Sequence, residues 1–148
     1  VLSNLDIERN SATQKLHELK QTNLQEMCVE LANALNNSEE QDGVRQLAGT
    51  ILKNMITTTG YSYNQDNFDK LSLEAREHVK NIALNNLGNP KKMVRQSASS
   101  LISHIAAIEL PRNNWNNLVE ILFSNFTNTD NSVRLACIQT TGYICEEL

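Results

Sequence analysis

Apolar residues recur along this chain with the three-and-four spacing of amphipathic helices. A clear stripe joins Leu24, Met27, Cys28, Leu31 and Leu35 on one helical face. Similar stripes predict helices over residues 5–19, 24–36, 42–56, 72–87, 91–108, 115–126 and 132–148. Only five glycines and two prolines interrupt them, and no alternating strand pattern competes. The pattern therefore predicts an all-α fold.

Four of these helices share one sequence pattern. Its copies are Val44-Arg45-x-x-Ala48, Val94-Arg95-x-x-Ala98, Val133-Arg134-x-x-Cys137 and, more faintly, Glu8-Arg9-x-x-Ala12. The steps of 36, 50 and 39 residues are close to the roughly 40–47 residues of HEAT and armadillo repeats. A helical repeat buries its apolar face against its neighbours and so builds a solenoid. We predict an all-α HEAT-repeat superhelix of about three and a half repeats over residues 1–148, the first unit lacking its leading helix.

The repeated arginines have two interpretations. Arg45, Arg95 and Arg134 each follow the first apolar residue of the second helix in a unit. Asp42 and Asp130 lie in or near the preceding turns, and Asn89 fills the equivalent region of the other unit. The favoured interpretation is a structural ladder, in which these side chains accept charge-assisted hydrogen bonds from the arginines and link the repeats. The alternative is that the arginines are exposed and contact a partner.

The composition indicates which kinds of partner and which type of compartment to expect. The formal net charge of −4 argues against a nucleic-acid surface, which needs a basic stripe, and favours a basic protein partner. No run approaches the roughly 18 apolar residues of a membrane span, so no membrane insertion is expected. Cys28, Cys137 and Cys145 lie in apolar helical contexts, which is typical of buried thiols in a reducing compartment. The many asparagines fall at turns and polar faces and are interpreted as having no chemical role.

Residues that could carry catalysis are scattered. His17, His78 and His104 fall on three different helices without a ligand-spaced companion, which argues against a metal site. The acidic pairs Glu39-Glu40 and Glu146-Glu147 lie at a turn and at the chain end, where we expect them to be solvated. Phosphate-binding glycine motifs are absent from the sequence. We therefore expect a non-enzymatic binding scaffold without a cofactor.

Aromatic residues outside the regular pattern are few. Tyr61, Tyr63 and Phe68 fall in the long segment 57–70, where they either cover helix ends or form exposed contacts with a partner. Trp115 begins an apolar stripe and is expected in the core.

Several longer motifs resemble the importin-β (karyopherin-β) family of nuclear transport receptors, in order and over nearly the whole chain. They are Val44-Arg-Gln-Leu-Ala-Gly-Thr-Ile-Leu-Lys-Asn-Met-Ile56, Ala75-Arg-x-x-Val79-Lys-x-x-Ala83-Leu-x-x-Leu87-Gly88, Ala106-Ala-Ile-Glu-Leu-Pro111 before Trp115-x-x-Leu118, and Gly142-Tyr-Ile-Cys145. The chain departs from the pattern at Thr140-Thr141, where the other repeats carry large aliphatic residues. The missing initial Met and the helical pattern that continues to Leu148 suggest an N-terminal fragment of a longer protein.

The resemblance implies a nuclear import receptor whose N-terminal repeats bind Ran-GTP through the second helix of each unit. It further implies that phenylalanine-glycine (FG) nucleoporins bind grooves between the outer helices, mostly beyond this chain. Importin-α or cargo would bind repeats farther along, and the protein would move between cytoplasm and nucleus through the pore complexes of the nuclear envelope. Lys53 and Asn54, in the family's Leu-Lys-Asn segment, are the first candidates to face Ran, with Gln46 and Ser103 next. The alternative is a HEAT scaffold of another class, such as a phosphatase scaffold or a vesicle-coat subunit.

Overall fold

A computed structural model describes residues 4–12, 14, 23–57 and 67–148 of the chain. The first helix, α1, covers residues 4–12; its predicted continuation to residue 19 lies largely outside the described residues. The other helices are α2 (Leu24–Asn36), α3 (Asp42–Ile56), α4 (Leu73–Leu87), α5 (Lys92–Glu109), α6 (Leu118–Ser124) and α7 (Asn131–Glu147). Short 3₁₀ turns cover Asn67–Lys70, Leu110–Arg112 and Asn125–Thr127. Within these ranges there is no β-strand.

The helices stack as antiparallel pairs in two layers. We call α2, α4 and α6 the first-helix layer, and α3, α5 and α7 the second-helix layer. Each first helix packs on the second helix of its own pair, while α3 packs on α5 and α5 on α7 across the junctions between pairs. The apolar stripes meet between the layers, where Leu35, Leu52, Val79, Leu101 and Leu118 are fully buried. This arrangement confirms the prediction of an all-α repeat solenoid.

Small and hydroxyl side chains set the spacing of the second-helix layer. At the α3–α5 contact, a Cβ added to Gly49 would lie 2.0 Å from Ser97 Oγ, so only glycine allows this approach. At the α5–α7 contact, the hydroxyls of Ser99 and Thr140 lie 2.7 Å apart, and Thr140 also donates to the Ala136 carbonyl. Thr140 stands where other repeats carry an aliphatic residue. Its hydroxyl is satisfied there because it pairs with the hydroxyl of Ser99 inside the core.

Asparagines form the same hydrogen-bond motif at the ends of α4 and α6. Asn86 donates to the Ile82 carbonyl and accepts from Asn89 Nδ2. Asn125 and Asn128, which lie 39 positions later, repeat both bonds with the Ile121 carbonyl as acceptor. The interpretation that the asparagines have no chemical role was wrong, because the amide satisfies polar groups of the turn that would otherwise be buried unpaired.

The arginines are structural, but the predicted ladder was wrong in its partners. Arg45 is buried and donates to the Leu35 carbonyl at 2.9 Å and to Asn86 Oδ1 at 3.0 Å, which joins two pairs. Arg95 donates to the Asn89 and Pro90 carbonyls, and Arg134 donates to the Asn128 carbonyl and to Asn131 Oδ1, all within their own turns. Asp42 instead approaches Lys91 at 3.9 Å, and Asp130 accepts from the Ser132 amide to cap α7. Carbonyl and side-chain amide oxygens accept the hydrogen bonds of the three arginines. The carboxylates of Asp42 and Asp130 are therefore not their acceptors.

The predicted start of the helix over 115–126 was also wrong. The turn before α6 holds Asn113 at φ 59° and Trp115 at φ 58°, so the helix begins at Leu118 and not at Trp115. The left-handed conformation of these residues is incompatible with a helical start. Asn23 precedes α2, but its side chain makes no capping hydrogen bond.

The described end of the long 57–70 segment is anchored to the core. Phe68 is fully buried, and the Asn67 amide donates to the Met55 carbonyl at 2.8 Å. Asp69 forms an ion pair with Arg112 at 2.6 Å. Phe68 therefore covers the core, while Tyr61 and Tyr63 lie outside the described residues.

Candidate partner-binding surfaces

Of the four residues predicted to face Ran, the three on α3 are at least partly accessible, whereas the one on α5 is buried. Asn54 is exposed, and Lys53 and Gln46 are half-buried on α3. Ser103 is only 2% exposed, and its hydroxyl donates to the Ser100 carbonyl at 2.8 Å. The prediction that Ser103 faces a partner was therefore wrong, because its side chain is buried and its hydroxyl is bonded within α5.

A polar groove lies between α5 and α7 on the second-helix layer. It encloses about 150 Å³ and is lined by Lys92, Arg95, Gln96, Ser99, Ser132, Leu135, Ala136, Gln139 and Tyr143. Lys92 and Arg95 give its α5 wall positive charge, while Leu135 and Tyr143 expose apolar surface on α7. This groove was missed at the sequence level. Its signal is two i, i+4 pairs, Lys92/Gln96 and Gln139/Tyr143, which lie off the apolar stripe of each helix.

An apolar groove lies in the first-helix layer between the ends of α4 and α6. It has a volume of about 210 Å³ and is lined by Leu84, Asn85, Leu87, Gly88, Ile121, Asn125, Val133 and Cys137. Four aliphatic side chains make most of its lining apolar: Leu84, Leu87, Ile121 and Val133. We refer to it as the α4–α6 groove.

A buried ion pair ties the start of α6 to the body of the molecule. Lys80 Nζ lies 2.8 Å from Glu109 Oε2 and 2.8 Å from Glu77 Oε1, and it stands 5.3 Å from the ring centroid of Trp115. Lys80 and Glu109 are 4% and 2% exposed. Each charge has its counter-ion within the fold, so this cluster joins α4, α5 and the α5–α6 turn and holds Trp115 against the core.

The cysteines have two kinds of environment. Cys28 and Cys137 are buried, and Cys145 is exposed. Burial disfavours the thiolate, which raises the pKa of Cys28 to about 11 and also raises the pKa of Cys137. Neither buried thiol therefore has the character of an activated nucleophile.

The described residues offer no centre for metal chemistry. Within the described ranges, no group of three or more His, Cys, Asp or Glu side chains is placed to hold a metal ion. Among these same residues, no helix is long and apolar enough to cross a membrane. The two grooves described above lie on opposite layers of a stack of helix pairs, and this architecture is that of a helical-repeat solenoid.

Comparison with known proteins identifies the family of this scaffold. Residues 12–89 match the family described as "Importin-beta N-terminal domain". The chain is 31% identical over 143 residues to importin subunit beta-1 of Arabidopsis thaliana, and 33% identical over 144 residues to that of Schizosaccharomyces pombe. Each alignment covers 95% of this chain but only 16% and 17% of the relative. The chain belongs to the importin-β family and corresponds to its N-terminal region.

Solved structures agree with this assignment. The chain superposes on an importin-β crystal structure obtained from ammonium sulfate with a TM-score of 0.79 at 32% identity, covering 93% of this chain and 16% of that one. It superposes on a structure described as the "Kap95:Nup1 complex" with a TM-score of 0.80 at 26% identity, covering 94% and 17%. The predicted resemblance is thus confirmed, and the chain spans about one sixth of the length of these relatives.

Proposed function

We propose that this chain is the N-terminal part of a nuclear transport receptor, a non-enzymatic scaffold that binds Ran in its GTP form. The observation that carries this proposal is membership of the importin-β family over 95% of the chain. The receptor would move between cytoplasm and nucleus through the pore complexes of the nuclear envelope. Importin-α or cargo would bind repeats that are not part of this chain, and Ran binding here would release them through coupling between the two sites.

The second-helix layer is the surface we assign to Ran. It presents Lys53, Asn54 and Gln46 on α3 and the polar groove between α5 and α7. Lys92 in that groove would form an ion pair with an acidic side chain of the partner, while Tyr143 would supply an aromatic contact. The mixed polar and aromatic character is typical of a surface that forms and releases a complex.

Titration calorimetry of this chain with Ran loaded with a non-hydrolysable GTP analogue, and with Ran-GDP, tests the proposal. We expect binding to the GTP form and at least tenfold weaker binding to the GDP form, since the receptor must distinguish the two states. Equal affinity for both forms would refute a GTP-controlled receptor. If this chain binds neither form and the full-length protein does, the Ran surface lies mainly in later repeats.

Paired variants locate the Ran surface. Lys53→Ala and Asn54→Ala should each weaken binding to Ran. Lys92→Ala should weaken it more strongly if an acidic side chain of Ran binds in the groove. Asn81→Ala is the matched control, because Asn81 is exposed on α4 in the first-helix layer. Loss of affinity in Asn81→Ala as large as in Asn54→Ala would place the interface on the other layer.

We further propose that the α4–α6 groove contacts an FG nucleoporin segment. Its apolar lining of Leu84, Leu87, Ile121 and Val133 would receive a phenylalanine side chain by apolar burial. A similar structure carries the description of a complex with Nup1. NMR titration with a Phe-Gly repeat peptide should shift groove resonances, and a Ser-Gly peptide of the same length should not. Equal shifts with both peptides would exclude phenylalanine recognition at this groove.

A further inference from the structure

A third concave site lies where the start of α4 meets the end of α5 and the turn before α6. Its volume is about 460 Å³. Its walls include Arg76, Glu77 and Lys80 of α4, Glu109 of α5 and Trp115 of the turn, and we call it the Trp115 pocket. It shares no lining residue with the polar groove assigned to Ran or with the α4–α6 groove.

The turn that forms one wall of the Trp115 pocket holds an uncommon backbone conformation. Asn113 and Trp115 have φ angles of 59° and 58°, a left-handed region that strains residues other than glycine. The Asn114 amide donates to the Glu109 carbonyl at 3.0 Å and so ties the turn to the end of α5. The Trp115 ring is held with its centroid 5.3 Å from Lys80 Nζ, which makes it a fixed aromatic wall.

Two buried polar atoms of the pocket lining have no hydrogen-bond partner in the part of the chain that the structure describes. They are Glu109 Oε1 and Arg76 Nε. Glu109 is only 2% exposed, and it is the other oxygen, Oε2, that pairs with Lys80 at 2.8 Å. Buried polar atoms are almost always bonded, and an unpaired one destabilises the fold. A bound group that reaches both atoms would remove this penalty.

The chemistry of the two atoms specifies the group that complements them. A carboxylate oxygen only accepts hydrogen bonds, and the Nε–H of an arginine only donates. The occupant must therefore donate to Glu109 and accept from Arg76. A carboxamide combines both functions on neighbouring atoms, since its nitrogen carries two donors and its oxygen accepts.

The charges around the pocket favour a neutral occupant. The positive charges of Arg76 and Lys80 are matched in number by the negative charges of Glu77 and Glu109. A charged occupant would lose its hydration on entry and gain no net opposite charge in return. A carboxylate would also face Glu109, and an ammonium group would face both cations.

From these observations we infer that the Trp115 pocket binds the side-chain carboxamide of an asparagine or glutamine on a protein partner. The carboxamide oxygen accepts from Arg76 Nε and its nitrogen donates to Glu109 Oε1, beside the Trp115 ring. Leu73 also lines the pocket and is 67% exposed, so it offers apolar contact to the partner residues that flank the carboxamide. Arg76 is half-buried, and because no bond holds its Nε in the described structure, its side chain can change rotamer as the occupant enters. The inference does not depend on Ran or nucleoporin binding.

Trp115 makes the pocket directly observable. It is the only tryptophan of the chain, so its indole N–H gives one NMR resonance that reports on this site. The full chain is titrated with five blocked tripeptides that differ only in their central residue, which is Gln, Ser, Glu, Lys or Met. We expect the Gln peptide to give a saturable shift at millimolar concentration. The other four should bind at least tenfold more weakly, because none presents a donor and an acceptor on separate atoms of a neutral side chain.

A pair of charge-removing substitutions tests the contact with Arg76. Arg76→Met keeps an unbranched apolar stem but removes the donor, and it should weaken binding of the Gln peptide about tenfold. Lys91→Met is the matched control, because it also removes one positive charge, from a side chain that is 60% exposed at the opposite end of α5. It should leave the affinity unchanged. Circular dichroism would check that both variants keep the native helix content.

Several outcomes would overturn the inference. Equal affinity for the Gln and Met peptides would mean that the pocket offers only apolar contact, and tightest binding of the Ser, Glu or Lys peptide would assign it to another chemical group. Free glutamine that binds more tightly than the blocked Gln peptide would make this a small-molecule site and not a partner surface. Unchanged affinity in Arg76→Met, or no saturable shift with any peptide, would show that the two buried atoms do not recognise a carboxamide.

Discussion

The side chain of Asn86 joins several helices of the molecule through hydrogen bonds. It is 3% exposed, and four hydrogen bonds end on its carboxamide, from or to Arg45, Asn36, Asn89 and the Ile82 carbonyl. A carboxamide offers two donors and one acceptor oxygen, so it can join α2, α3 and the α4–α5 turn at one point. This junction holds the first two complete helix pairs together.

Replacing Asn86 should therefore destabilise the whole chain. In Asn86→Ala the Arg45 guanidinium loses one of its two buried acceptors, and we expect the free energy of unfolding to fall by about 2–4 kcal/mol. Urea denaturation followed by circular dichroism measures this change. Asn81→Ala, at an exposed position of the same helix, should change stability by less than about 0.5 kcal/mol. Equal effects of the two substitutions would show that the buried network contributes little.

The buried ion pair of Lys80 and Glu109 gives a second prediction at a single residue. Lys80→Met leaves the Glu109 carboxylate buried without its counter-ion, which should cost about 3–5 kcal/mol in urea denaturation. Lys80→Met combined with Glu109→Leu should recover most of this loss. Glu77→Gln provides the control, since the Glu77 side chain is 52% exposed and an exposed pair contributes about 0–1 kcal/mol. A double variant as unstable as Lys80→Met would contradict this account.

At the scale of helices, the contact between α3 and α5 depends on one glycine. Gly49 lies in the middle of α3, where glycine is intrinsically unfavourable by about 1 kcal/mol. It is retained because Ser97 of α5, whose hydroxyl donates to the Gln46 carbonyl at 3.1 Å, occupies the space that a Cβ would need. Helix propensity and close packing thus oppose each other at this position.

A double-mutant cycle separates the two effects. Gly49→Ala should destabilise the chain by about 1–3 kcal/mol through overpacking. In a Ser97→Ala background the same substitution should cost at least about 1 kcal/mol less, because the clashing oxygen is gone. Gly142→Ala, where nothing lies within 4 Å of an added Cβ, should be neutral or stabilising by up to about 1 kcal/mol. Thermal unfolding that shows additive effects of the first two changes would argue against the contact.

Helix positions were predictable where apolar spacing and termination signals agree. The helix predicted over 24–36 is observed as Leu24–Asn36, and that predicted over 42–56 as Asp42–Ile56. The helix predicted over 115–126 is shortened to Leu118–Ser124, because Trp115 adopts a left-handed backbone to reach Lys80. Such a tertiary contact leaves no periodic signal, so the sequence could not reveal it.

At the scale of the molecule, the repeat pattern was enough to predict the two-layer stack but not the accessibility of its surfaces. The Val-Arg pattern placed α3, α5 and α7 in equivalent positions, as observed. It could not show that Ser103 is enclosed while Tyr143 is exposed, since both lie on polar-looking positions of equivalent helices. Accessibility depends on how neighbouring pairs pack, which spacing alone does not determine.

The stability of the whole chain should fall in alkaline solution because of Cys28. Burial raises the pKa of this thiol to about 11, whereas in the unfolded chain it ionises near its ordinary pKa of about 8.5. Between these values the unfolded state binds fewer protons than the native state, so the free energy of unfolding decreases as pH rises. The contribution present below about pH 8.5 is lost progressively toward pH 11, up to about 3 kcal/mol.

Urea denaturation of the native chain and of Cys28→Ala at several values between pH 7.5 and 10.5 isolates this contribution. Lysine and tyrosine titrations are common to both proteins and cancel in the difference, so the stability of Cys28→Ala should fall less steeply. Cys145→Ala should retain the native slope, since Cys145 is already exposed in the folded chain. Cys137, whose pKa is also raised by burial, would leave a residual slope of the same sign. Parallel curves for the native chain and Cys28→Ala would mean that the Cys28 thiol ionises equally well in the folded and unfolded states.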